Sequence, residues 1–250
     1  MTLLAATVLG GTVSAQAVTF HFAADGLAAQ ATFERDVDNN NLIVTLDNSS
    51  PGDVMVPSDI LTAVFFDLVG TPALEPICGL VAPGSAVVFG PSITNVGGEW
   101  AYKAGLTGAP GGAERGISSA GLDLFGPGDL FPGGNLSGPE SPDGMQYGLV
   151  SAGDDPSTGN AQVTGASPFV KSAVVFTLAL PDGFEQIDVS NVWFQYGTDL
   201  IEPSYPGEEN GSEGDAPIPE PITLICLGSG IGILVEYSRK RFWYLAGLGC

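Results

Sequence analysis

Asp36-Val37-Asp38-Asn39-Asn40 sets side-chain oxygens at alternating positions, as a calcium loop does, and Asp47 falls twelve along from Asp36. Asn41 stands where such a loop has its glycine, and its twelfth position lacks the bidentate Glu. The same residues also read as a polar hairpin tip, where Asp and Asn cap backbone groups and tolerate left-handed geometry. The hairpin tip is the favoured reading and no cofactor is expected, with calcium at Asp36, Asp38 and Asn40 as the alternative. Asp129, Asp143, Asp154 and Asp155 lie on one long loop-like stretch and, if brought together, would hold a cation or form a carboxylate acid/base pair for glycan hydrolysis. With 28 acidic residues in the chain, chance clustering is the competing account.

Nucleophilic chemistry has thinner support. Gly116-Ile117-Ser118-Ser119-Ala120 lacks the closing glycine of a nucleophile elbow. His21 is the single histidine, so a triad needs it to reach Ser118, and a histidine metal site has no second ligand. Cys78 has only His21 as a prospective base. This scarcity points to a non-enzymatic protein. Trp100 with Tyr102, and Trp193 with Phe194 and Tyr196, offer a different chemistry, stacking on sugar rings. In a strand Phe194 and Tyr196 share one face and Trp193 takes the other, so one face is expected in the core.

The elements that must position these residues are strands. Ala31–Arg35 and Leu42–Leu46 flank the polar loop 36–41 as a hairpin. Leu61–Val69, Ser85–Phe89, Ser172–Leu180 and Val189–Tyr196 are β-branched and aromatic runs bounded by turn formers. The pattern predicts an all-β fold, a single β-sandwich or jelly-roll-like domain over 18–200. Residues 105–155 read as a long Gly/Pro-rich loop. Residues 201–218, acidic and nearly without apolar side chains, read as a flexible stalk.

Both ends of the chain read as sorting elements. Residues 1–17 form an apolar signal peptide ending in Ala15-Gln16-Ala17, an A-x-A cleavage site that would leave Val18 first. At the other end, Pro219-Glu220-Pro221 precedes the apolar stretch 222–237 and then Arg239-Lys240-Arg241. Sixteen helical residues span about 24 Å, a little short of a hydrocarbon core of about 30 Å. The basic cluster would stay on the cytoplasmic side, leaving the bulk of the chain outside. Residues 242–250 add an apolar tail.

This tripartite end resembles the PEP-CTERM sorting signal of exosortase-dependent surface proteins in bacteria with an outer membrane. The resemblance implies an exosortase-type sorting protease as partner, recognising Pro219, Glu220 and Pro221, with Arg239, Lys240 and Arg241 as the stop. It implies passage through the inner membrane, then delivery to the cell surface or the extracellular polymer. Glu236 in the span and the tail past the basic cluster depart from the family's usual pattern. Stretches such as Gly116-Ile117-Ser118-Ser119-Ala120-Gly121-Leu122, Ser141-Pro142-Asp143-Gly144 and Phe194-Gln195-Tyr196-Gly197-Thr198 also resemble the ectodomain of one group of these proteins, which implies no particular reaction.

Charge bounds the partners. Between the two signals stand 26 acidic residues against four basic ones, which excludes nucleic-acid binding through phosphate contacts. Cys78 is the single cysteine there, so no disulfide forms within the domain. The expectation is a structural or adhesive surface protein of the envelope or exopolysaccharide. The alternatives are a carbohydrate-binding module, with or without calcium, and a carboxylate-based glycan hydrolase.

Overall fold

Alternation of apolar and polar residues builds most of the strands. In a computed structural model describing residues 17–127, 130–131, 134–137, 141–165 and 167–210, the chain is all-β. The strands in chain order are β1 (Ala17–Ala24), β2 (Leu27–Asp36), β3 (Asn41–Asn48), β4 (Leu61–Leu68), β5 (Glu75–Val81), β6 (Ala86–Val88) and β7 (Ala101–Ala104). They continue with β8 (Arg115–Ser118), β9 (Leu149–Val150), β10 (Phe169–Lys171), β11 (Ala173–Ala179), β12 (Val189–Tyr196), β13 (Ser204–Pro206) and β14 (Glu208–Glu209). Helix among the described residues amounts to three single 3₁₀ turns, and none is long and apolar enough to cross a membrane. Ala15, Asp129, the sorting motif 219–221, the span 222–237 and the basic cluster 239–241 lie outside the described residues.

One sheet runs in the order β14-β1-β2-β3-β11-β5, the other β13-β12-β4-β9-β10-β6, with β8 and β7 attached beside β4. The expected hairpin is β2–β3, in register from Ala29 opposite Asn48 to Asp36 opposite Asn41. Along β3, every second residue (Leu42, Val44, Leu46, Asn48) is buried. These meet residues of the second sheet in one core. Phe33 packs on Phe66 at 5.0 Å, Phe22 on Phe194 at 5.3 Å, and Trp100 on Phe176 at 4.9 Å. Each fully buried Phe contributes about 2–3 kcal/mol by transfer from water.

Strand β4 is buried on both faces, which explains its unbroken apolar run. Val64, Phe66 and Leu68 face the main core, while Ala63 and Phe65 face a second cluster with Leu106, Phe125 and Phe131. That second cluster is built from the stretch read as a loop. Arg115–Ser118 is a strand, in register with Ala63–Phe66 on one side and Ala101–Ala104 on the other.

Residues 201–210 also differ from expectation. The composition assigns them to the stalk, yet Ser204–Pro206 pairs with β12 and Glu208–Glu209 pairs with β1. The chain steps between the sheets at Gly207, where a Cβ would stand 2.9 Å from the Phe194 ring. Aromatic packing supplies what the composition lacks: Tyr205 stacks on Phe22 at 4.6 Å with an interplanar angle of 10°. The compact unit ends at Asn210.

Candidate functional site

The residues singled out by type go to separate places. At the β2–β3 tip, Asp36 accepts hydrogen bonds from the backbone N–H of Asn39 at 3.2 Å and from its side-chain amide at 2.7 Å. The Asn39 amide, chiefly, holds the Asp36 carboxyl below its usual range. Asn40 takes φ +55°, accepts from Arg35 at 2.9 Å and donates to the Leu180 carbonyl at 2.8 Å. Asp38 is exposed. The loop oxygens of Asp36 and Asn40 thus serve the turn, and the geometry is that of the hairpin tip. Asp47 lies six residues up β3 from Asn41, about 20 Å at strand rise, and accepts from Ser172 at 2.8 Å.

The carboxylates of the long stretch divide similarly. Asp143 accepts from the Gln146 amide at 2.8 Å. Asp154 and Asp155 instead meet Asp53, about a hundred residues earlier, a partner that no sequence signal links to them. Two segments, 49–60 and 151–165, are pinned there by Val54, Ile60, Val150, Val163 and Phe169. Asp154, only 6% exposed, accepts from Val54 N–H at 2.8 Å, and its own carbonyl accepts from Lys171 at 2.6 Å. Asp53 accepts from Asp155 N–H at 3.1 Å and from the Thr158 hydroxyl at 3.2 Å. Burial, first, pushes the Asp154 carboxyl up, while bonds from Ser157 hold Asp155 down. One raised and one lowered carboxylate side by side is how acid/base pairs are tuned. Here, however, an Asp154 oxygen pins the 49–60 segment and an Asp155 oxygen pins its own loop. Among the described residues no group of three or more His, Cys, Asp or Glu is placed to hold a metal ion.

Ser118 is fully buried. Its Oγ lies 2.7 Å from the Ala120 carbonyl and 3.2 Å from that of Thr62, and accepts from Ala120 N–H at 3.0 Å. His21 stands exposed on β1 of the other sheet while Ser118 is fully buried, so the fold does not join the pair. Cys78 is a half-buried free thiol on the edge strand β5. Of the aromatics, Trp100, Phe194 and Tyr196 are fully buried and Tyr102 nearly so. Trp193 does take the opposite face and is half-buried. A Cβ on Gly111 would collide with its indole, and Asn191 accepts its N–H at 3.0 Å. None of the five forms an open stacking platform.

Two grooves flank the short strand β14. One, of about 340 Å³, is lined by His21–Ala24, Tyr205, Pro206 and Glu208, with Glu208 directly opposite His21 in the ladder. The other, of about 410 Å³, is bounded by Ala17–Thr19, residues 186–189, Glu209 and Asn210. The sequence points to neither, because both depend on strand β14. No protein-family model, curated protein or solved structure matches the chain.

Proposed function

We propose that this is an exported, non-enzymatic surface protein, released from a C-terminal membrane anchor by an exosortase-type protease and retained in the envelope or exopolysaccharide. The observation that carries the reading is positional. The compact unit ends at Asn210, and the motif Pro219-Glu220-Pro221 follows after residues 211–218. Eight residues reach at most about 29 Å when extended. The recognition motif thus follows the folded residues by eight positions in the sequence.

The other proposed processing position lies beside Asn210. Antiparallel pairing of β14 with β1 brings Asn210 N–H to the Thr19 carbonyl at 2.8 Å, two residues from the Ala17 cleavage position. We read the two sheets as a β-sandwich serving as a folded, strongly anionic body for display, its role structural or adhesive. Burial of Trp100, Phe194 and Tyr196 favours this reading over the carbohydrate-binding alternative, and the hydrogen bonds of Asp143, Asp154 and Asp155 favour it over the hydrolase alternative.

Replacing Pro219-Glu220-Pro221 by three alanines tests the reading. Full-length protein held in the inner membrane is the expected result; normal release of a shortened product would overturn it.

A further inference from the structure

Strand β11 shares with β4 the lack of any charged side chain on either face over most of its length. Val174, Phe176 and Leu178 point into the main core, while Val175, Thr177 and Ala179 alternate with them on the outside. The outer face of β4 is covered by the second cluster. Val175 belongs to none of the hydrophobic clusters among the described residues. The ladder sets its neighbours: Val175 lies between Leu80 of β5 and Thr45 of β3, and Thr177 between Cys78 and Ile43. No carboxylate, amine or guanidinium stands among these six. The first charge is Glu34 of β2, beside Ile43, whereas the other row continues through Thr32 to Thr19. At the β5 margin Ile77, Leu80 and Ile93 are 45%, 42% and 36% exposed, which is where a sandwich ordinarily turns polar side chains to water.

We propose that this outer face is a self-association surface, against which a second copy of the chain lays the same face. It is a contact of the folded domain alone, independent of how the chain's ends are processed. Charge chooses the occupant. The chain carries 28 Asp and Glu against seven Lys and Arg, so two copies repel wherever carboxylates face each other. The β5–β11–β3 face is where they meet without opposing charges. A basic partner would be drawn to the carboxylates elsewhere on the domain. The contact is isologous, the patch meeting itself across a two-fold axis. Size sets its strength. Each outward residue occupies about 4.8 Å by about 6.8 Å of a sheet face, so two rows across five strands cover roughly 300 Å². A stable interface buries about 800 Å² on each partner. The pairing is therefore weak and concentration-dependent, a contact that acts where copies are crowded.

The experiment uses the full chain in mild detergent. Sedimentation velocity reports the dimer, and the rate of maleimide alkylation at Cys78, mapped by peptide apart from Cys226 and Cys250, reports the face. A monomer–dimer equilibrium is expected that strengthens with salt, because screening removes the repulsion between like-charged bodies. The Debye length falls from about 30 Å at about 0.01 M to about 3 Å at about 1 M. Alkylation of Cys78 should slow as the dimer forms. L80D sets a carboxylate on each side of the contact and should weaken the dimer about tenfold or more. T45E, on the neighbouring part of the face, should do the same. I201D, at a bare side chain in the β12–β13 loop of the other sheet, should leave the dimer unchanged. A dimer that weakens with salt, or that L80D and T45E leave intact, would overturn the proposal. So would a monomer at every concentration, including one whose Cys78 reacts slowly throughout because the chain's own residues cover the face.

Discussion

Replacing Tyr205 by alanine separates a folded strand from a stalk. The ring is half-buried, so its loss removes about 1 kcal/mol of apolar burial. Its stacking on Phe22, at 4.6 Å and 10°, contributes about another 1 kcal/mol. Its hydroxyl donates to Asp25 at 3.0 Å, an exposed bond contributing about 0.5 kcal/mol. Burial, and then Asp25, push the phenol's pKa up, so the hydroxyl remains a donor across the neutral range. The expected loss for Y205A is about 2.5 kcal/mol, or roughly 5–10 °C in Tm for a domain of this size. Y205F should lose only the hydroxyl's share. The assay is thermal unfolding of the full chain by near-ultraviolet circular dichroism, which reports aromatic packing directly. A Y205A midpoint within about 1 °C of wild type would refute the placement of residues 204–209 in the sheets.

Two further substitutions test the packing around the site. Gly111 has φ +62°, and a Cβ there would stand 1.9 Å from Trp193 Nε1, whereas Gly112 has φ +71° with open space around it. G111A should lower Tm clearly more than G112A and alter Trp fluorescence, by about 1–3 kcal/mol of strain and clash; equal effects would show that Gly111 does not stand against the indole. For Asp154, burial raises the folded-state carboxyl, so the folded protein binds that proton more tightly than the unfolded chain. Its contribution to stability is then greatest below the ordinary carboxylate pKa of about 3.9 and declines as pH rises through the folded value. D154N keeps an acceptor for Val54 N–H and removes the charge, so its stability relative to wild type should improve between pH 3 and pH 7; the opposite trend would contradict the burial assignment.

The legible parts of the fold were those whose residues answer to their own neighbours. Val189–Tyr196 and Leu61–Val69 show as strands because β-branched and aromatic residues recur between turn formers, and the β2–β3 hairpin shows because its tip is Asp and Asn. Strand β8 was not legible: Arg115-Gly116-Ile117-Ser118 has no period, and its pairing comes from β4 and β7. Strand β5 hides behind Pro76 and Gly79. Residues 204–209 look like a stalk because their apolar partners, Phe20, Phe22 and Phe194, are supplied by strands far away in sequence. Side-chain chemistry was less legible still. Alternating Asp and Asn fit a calcium loop and a hairpin tip equally, and only the bonds from Asn39 and Arg35 show where those oxygens go. Nothing local couples Asp53 to Asp155.

The central claim is that the chain is cut at its C-terminal signal and delivered to the surface. Its most direct test is intact mass with cell fractionation, in cells with and without the sorting protease. The account predicts a wild-type product that begins at Val18, ends near residue 220 and is found on the surface or in the polymer, with the full tail kept in the inner membrane when the protease is absent. An uncut tail in both strains would contradict it and leave a membrane-anchored protein in its place.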